Sequence, residues 1–372
     1  MRGDDVRVLI VGAGIAGLAA ARTLRGWGAA VDIVERAPAP NIEGTGIYLP
    51  GNAVRALYEL GLGAQVTERA VRIERQRVAD HRGRLLLDLD VEDLWGGVGP
   101  CLALPRAQLH QVLLAGAADV AVQWGRTPQA IDSHDDGGVT VRLSDATTGR
   151  YDLVLGADGL HSTVRRMLFT ATPARPVGQY AHRFVVAAPD PAPVWSARLG
   201  PGSSFLTIPI GPGQLYCYTD GPPGQPPPPL RDLLADYAPP VPALLDALEA
   251  NTATGTAHTG PIEEVVLDTW THGAVLLIGD AAHATSPNMA QGAAMALEDA
   301  IVLAECLIAA RSITDALAAY EHRRRPRTDW VLHQTHRRDR TRTLTPAVRN
   351  LVLKHLGRRI FQANYRPLRQ PP

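Results

Sequence analysis

Residues 273–292 join an apolar run to a Gly279-Asp280 pair, His283, Pro287 and a Gln291-Gly292 pair. A carboxylate leaving the end of a buried strand can accept hydrogen bonds from ribose or ribityl hydroxyls, and ligands of open α/β sheets bind at such strand ends. Gly279 permits close backbone approach, Pro287 fixes the loop, and a helix starting near Gln291 and Gly292 aims its positive dipole end at an electron-rich group. A second constellation opens the chain, where Gly12, Gly14, Ala16 and Gly17 lie between a strand pattern and a helix pattern. Gly12 allows a tight turn, Gly14 lets a pyrophosphate approach the backbone, and Gly17 lets the helix pack against the strand. Glu35 and Arg36 end the next apolar run. A carboxylate there accepts from adenosine ribose hydroxyls and repels a 2′-phosphate. The motif alone does not separate NAD from FAD.

A third block, residues 151–165, runs from an apolar strand into Asp158 and Gly159, then Ser162 and Arg165. Local geometry accounts for Gly159 in a turn and Ser162 as a helix cap. It leaves Asp158 as a carboxylate at a buried strand end, costly unless paired. Tyr216 and Tyr218 stand two apart on a strand and share a face, as do Phe205 and Thr207 on its neighbour. Turned toward a bound ring, that face would supply aromatic walls and hydroxyl handles; the plainer alternative is sheet packing. His182 and Arg183 could anchor an acidic substrate. His283 follows the Gly279-Asp280 pair as a candidate general base, with a structural hydrogen-bonding histidine beside a buried strand end an at least equal reading. The twelve histidines show no metal-ligand spacing, so no metal is expected, and a Gly-x-Ser-x-Gly nucleophile is absent. The arginines of residues 323–327 read as a solvated helix end.

The elements that must position these groups follow from hydrophobic period. Residues 6–11 and 31–34 read as buried parallel strands flanking a helix over 18–27, a βαβ unit. Residues 52–60 read as a helix closed by Gly61, 71–90 as a hairpin turning at Gly83, and 106–118 as an amphipathic helix. Strands are expected at 139–143, 151–155, 203–210 and 215–219, a surface loop at 221–229, and a buried strand at 275–278. One long helix is expected over 291–322, stopping near Pro326. The order alternates between nucleotide-type and antiparallel segments, so the expected fold is α/β with two interleaved domains. A nucleotide-binding domain spans 1–72, 100–172 and 264–340; a substrate domain spans 73–99 and 173–263; residues 341–372 form a C-terminal helical tail.

The 372 residues carry 37 basic and 37 acidic side chains, a formal charge of zero, which gives no electrostatic case for nucleic acid or an anionic membrane. Three cysteines without paired spacing fit a reducing cytoplasm, and no stretch reaches the apolar length of a membrane span.

In this order the three glycine-acid blocks resemble the single-component (group A) FAD-dependent aromatic monooxygenases of the PHBH fold. The Pro105-Arg106 helix start with Leu109 and His110, and the segment Gly44, Gly46, Ile47, Tyr48, Leu49 with Asn52, resemble further family segments. The resemblance implies a Rossmann-like FAD-binding domain, an antiparallel substrate domain and C-terminal helices. It implies FAD as cofactor, NADH or NADPH and O2 as co-substrates, and hydroxylation of a small aromatic or heteroaromatic substrate through a flavin C4a-hydroperoxide. Asp280 would contact the ribityl chain, Arg106 the ribityl or phosphate region, and Asp158 and Gly159 both FAD and NAD(P)H. Tyr48, Tyr216, Tyr218, Pro287 and Gly292 are the expected pocket. A halogenase-type Trp-x-Trp-x-Ile-Pro segment is absent, and the short C-terminus resembles the compact salicylate- and urate-hydroxylase-like members. Competing readings are a reductase or cyclase of the same superfamily that inserts no oxygen, a non-catalytic flavin-binding relative, and a plain NAD dehydrogenase. The assembly is expected to be a monomer or homodimer.

Overall fold

The computed structural model describes residues 2–40, 45–222, 228–250, 257–341 and 344–372. Gly44 and residues 223–227 of the expected surface loop lie outside the described residues. Apolar runs without alternation form the strands of a six-stranded sheet buried on both faces. Its order is Thr271–His272, Val275–Leu277, Leu153–Gly156, Arg7–Val11, Ala30–Glu35 and Val122–Trp124, parallel except at the outermost pair. Gly14 caps the helix Ile15–Trp27, and Gly28 ends it in the left-handed region at φ 105°. Among the described residues no helix is long and apolar enough to cross a membrane.

A seven-stranded sheet lies alongside. Its order is His258–Glu264, Arg175–Ala187, Gln214–Gly221, Ser204–Gly211, Val194–Leu199, Arg75–Asp80 and Leu85–Asp90. Only the Val194–Leu199 to Arg75–Asp80 pairing is parallel. One face of this sheet covers a large cavity. The other face buries Phe184, Val186, Phe205 and Cys217 against the helix Val241–Ala250.

Several expected boundaries move. The hairpin begins at Arg75; Val71–Ile73 instead pairs with Cys101–Pro105, which also pairs with Gly46–Leu49. Tyr151 closes a different strand, Thr148–Tyr151, and Asp152 separates it from Leu153–Gly156 by accepting the Arg7 backbone N–H at 2.7 Å. The single long helix is in fact two, Gly292–Ala309 and Ile313–Thr341. Ser312 makes the break: its hydroxyl accepts the Asp315 N–H at 3.1 Å and donates to the Asp315 carboxylate at 2.7 Å. Pro326 does not stop the second helix but sits exposed inside it, where the bonds of Arg324 and Arg327 to Glu298 and Asp299 hold the helix across one missing donor. The tail forms the helix Pro346–Tyr365, whose Gly357 passes so close to Leu87 that an added Cβ would lie 3.1 Å from that side chain.

Candidate functional site

The strand ends of the parallel sheet and one face of the antiparallel sheet enclose a cavity of about 2130 Å³. Sites for one small molecule run to roughly 300–1,000 Å³, so this space can take a dinucleotide and a second ligand together. Gly14, Ala16, Glu35, Arg106, Gly159, Asp280, Pro287 and Gly292 all line it. The glycines of the first turn divide by role. A Cβ on Gly12 would lie 2.4 Å from the Ala157 carbonyl oxygen, and one on Gly17 would lie 1.9 Å from that of Gly12. Gly14 has open space instead. Two glycines therefore let the turn close, and the third leaves a cradle that a side chain would fill.

Glu35 accepts the Ala13 N–H at 2.9 Å and the Ala37 N–H at 2.8 Å, so it shapes the turn as well as facing the cavity. Each carboxylate oxygen keeps a second acceptor site. His110 was assigned no role from sequence, yet its Nε2 donates to the Ala13 carbonyl at 2.8 Å and braces the same turn. Its place one helical turn after Arg106 was the available signal. Arg106 begins the helix Arg106–Gly116, and Asp280 begins the turn Asp280–His283. Both are exposed, and neither makes an ion pair or side-chain hydrogen bond among the described residues.

Other predicted residues lie off the cavity wall. Arg36 is exposed elsewhere; Gly12, Gly17 and Gly279 are buried beneath it. Gly279 adopts φ 59°, and a Cβ there would meet the Ala16 Cβ at 2.8 Å. Asp158 caps the helix Thr163–Leu168, accepting from the Ser162 hydroxyl, the Thr163 N–H at 2.6 Å and the Val164 N–H at 3.2 Å. This local role removes the difficulty its burial raised. Gln291 is buried in a reciprocal amide pair with Asn52, at 2.9 and 3.3 Å, and Asn52 also donates to Glu298 at 3.1 Å.

That amide pair joins an ionic cluster behind the Gly279-Asp280 turn. Asp299 accepts the Gly279 N–H at 2.8 Å, His283 Nε2 at 2.7 Å and Arg324 Nε at 2.8 Å. Arg324 also donates to Glu298 at 2.9 Å, and Arg327 grips Glu298 with two bonds of 2.7 Å. Arg324, Glu298 and Asp299 are all 0% exposed. The reading of residues 323–327 as a solvated helix end is therefore wrong for Arg324 and Arg327: their partners lie on the preceding helix. Burial alone would favour a neutral Asp299, but His283, Arg324 and the Gly279 N–H outweigh it and hold the carboxyl below its usual range. The bond from His283 Nε2 to Asp299 fixes the imidazole ring behind the turn.

On the antiparallel side, Tyr216 and Tyr218 face the cavity together with Tyr48, Leu206 and Ile208. Leu206 and Ile208 are the direct cross-strand partners of Tyr218 and Tyr216. Phe205 points the other way and packs against Phe184 at 6.3 Å between ring centroids, so the expected Phe205-Thr207 face was the opposite one. The Tyr48 hydroxyl accepts from Gln76 at 2.9 Å. Burial pushes the Tyr48 and Tyr216 hydroxyls above their ordinary pKa, with Arg183 and Arg106 tempering the effect at Tyr216. Both remain neutral hydroxyls at physiological pH. Arg183 lies over the Tyr218 ring at 5.5 Å, and burial lowers the pKa of His182, which hydrogen-bonds Thr259 at 2.8 Å.

A family model for an FAD binding domain matches residues 5–335. The chain is 36% identical over 350 residues to the 2-heptyl-3-hydroxy-4(1H)-quinolone synthase of Pseudomonas aeruginosa, covering 88% of this chain and 87% of that protein. It is 30% identical over 376 residues to the FAD-dependent urate hydroxylase of Klebsiella pneumoniae, covering 96% and 97%. The crystal structure of Klebsiella pneumoniae HpxO complexed with FAD and uric acid matches with a TM-score of 0.88 at 26% identity, over 99% of this chain and 97% of that one.

Proposed function

This chain belongs to the FAD-binding-domain family of single-component flavoprotein monooxygenases, and on that premise we propose that it uses NADH or NADPH and O2 to hydroxylate a small aromatic or heteroaromatic compound. The observation that carries the reading is one cavity bounded by an open glycine cradle, two unpaired charges and an aromatic-apolar sheet face. Bound FAD supplies the redox chemistry, linking oxidation of the nicotinamide to transfer of one oxygen atom from O2 to the substrate ring.

The chain's own residues bind, orient and exclude water. Gly14 admits the pyrophosphate beside the N-terminus of Ile15–Trp27, where unpaired N–H groups and the dipole favour an anion. Glu35 accepts from the adenosine ribose, Asp280 from a ribityl hydroxyl, and Arg106 neutralises phosphate or orients the ribityl chain. Gly292 starts an 18-residue helix at the cavity wall; its positive end stabilises negative charge that develops on the bound ring. Tyr216, kept neutral by burial, can donate a proton in hydrogen bonding to a polar substituent, and Leu206 and Ile208 keep water from the ring. In this reading residues 1–72, 100–172 and 264–340 hold the flavin, while 73–99 and 173–263 cover the substrate.

The deciding experiment measures NADH and NADPH consumption with O2 uptake across an aromatic panel, and product mass for one added oxygen. A protein that stays colourless after FAD addition, or a flavoprotein with no substrate-linked O2 uptake, defeats the proposal.

A further inference from the structure

The even overall charge conceals a separation along the chain. Residues 340–372 hold eight basic side chains and no acidic one, so the remainder carries an excess of eight acids. Most of this basic segment is the helix Pro346–Tyr365. Its inner side is committed to the fold. Gly357 lies close against Leu87, Val352 and Leu353 line the cavity, and Arg349 donates to the Gly200 carbonyl at 2.8 Å and the Leu199 carbonyl at 3.1 Å.

The outer side of the helix is different. Val348, Leu351 and Leu356 are 50%, 61% and 47% exposed, three of the nine large apolar side chains exposed among the described residues. Steps of three and four residues bring Val348, Leu351, Lys354, His355, Arg358 and Arg359 to one side of the helix, and all six are exposed. Arg358 pairs with Asp93, whereas Lys354 and Arg359 make no ion pair among the described residues. Lys354 is the only lysine of the chain.

We propose that this outer side seats the protein on an anionic lipid surface, with the helix lying along the headgroups rather than crossing them. Such docking is independent of the reaction catalysed. Cations and aliphatic groups share the face, and a bilayer interface satisfies both. Anionic headgroups meet Lys354 and Arg359, while Val348 and Leu351 reach the acyl boundary. A second copy of the chain fits less well, because a two-fold contact centred here brings the same cations face to face. Protein interfaces favour aromatic anchors and deplete lysine, and this face carries lysine with no Phe, Tyr or Trp. Nucleic acid would neutralise the cations but leave the aliphatic groups in water.

The test is sedimentation of the full chain with vesicles of phosphatidylcholine alone, or of phosphatidylcholine and phosphatidylglycerol in equal parts. The expected result is binding to the anionic vesicles only, reversed at about 1 M salt, where the screening length falls to ~3 Å. Replacing both cations, Lys354→Gln with Arg359→Gln, should weaken binding about 25-fold, at roughly fivefold per cation. Leu351→Gln should weaken it about tenfold. Because all three residues are exposed, melting temperatures should stay at the parent's value. Absence of binding to the anionic vesicles, or equal binding to both kinds, overturns the proposal. Binding that survives loss of the two cations places the contact elsewhere on the molecule, and binding that survives Leu351→Gln reduces it to adhesion without seating; either result overturns it too. Self-association abolished by Leu351→Gln, without vesicle binding, assigns the face to a second copy instead.

Discussion

Charged side chains lie on both sides of the Gly279-Asp280 turn. Behind it, Glu298, Asp299 and Arg324 are wholly buried and bonded to one another. In front of it, Asp280 and Arg106 are exposed at the cavity and make no ion pair among the described residues. The two sets have the same chemistry and opposite consequences. Taking charges out of water costs several kcal/mol per ion, so the rear set must complete its bonding within the chain and serves to hold the turn. The front set keeps its hydration until a ligand displaces it. Accordingly, a charge near a strand end marks a binding site only when the fold leaves it without an internal partner.

The largest effect that would test this contrast is at Arg324. Arg324→Ala leaves Asp299 and Glu298 buried with fewer counter-charges and should cost about 3–5 kcal/mol of stability, read by urea unfolding. A loss below about 1 kcal/mol would mean the cluster behaves like a surface pair. Next come the glycines of the first turn. Gly17→Ala must push against a backbone carbonyl and should destabilise by about 1–3 kcal/mol. Gly14→Ala has room and should leave stability intact while weakening FAD binding; equal stability losses in both variants would remove the cradle assignment.

Asp280→Ala should unfold within about 0.5 kcal/mol of the parent, as exposed substitutions do. It should nevertheless bind FAD about tenfold more weakly, the loss of a charged hydrogen bond. Unchanged FAD affinity would place the carboxylate outside the site. The smallest effect is on pH dependence. The folded pKa of Asp299 lies below its ordinary value, so its stabilisation is complete above about pH 4 and lost as pH falls through the folded value. The stability gap between the parent and Asp299→Asn should therefore narrow below about pH 4. A gap constant with pH would contradict the assigned charge.

The front of the turn was legible in the sequence because backbone geometry restricts residue type there. Gly12 at φ 109° and Gly279 at φ 59° occupy conformations and spaces that side chains do not fit, and the acids follow at fixed offsets. The rear was not legible, since Arg324 lies 25 positions from Asp299 and a helical period does not say which helix it faces. Strand faces were half readable: alternation put Tyr216 and Tyr218 together, but only tertiary packing shows that Phe205 turns toward Phe184. The break between Gly292–Ala309 and Ile313–Thr341 does carry a local signal, a serine at 312 that caps through Asp315 three residues later. The fold class followed from the order of segments, whereas the lining of the cavity by Val352 and Phe361 depends on a C-terminal helix reaching it from the far end of the chain.

The parallel pairing of Val194–Leu199 with Arg75–Asp80, and of Val275–Leu277 with Leu153–Gly156, has a kinetic consequence. Neither sheet can be finished by the part of the chain that starts it. A ribosome releasing this protein N-terminus first exposes edge strands whose partners have not yet been made, and such long-range pairing is slow to form. Folding must wait for residues near 277, so both layers mature late and together.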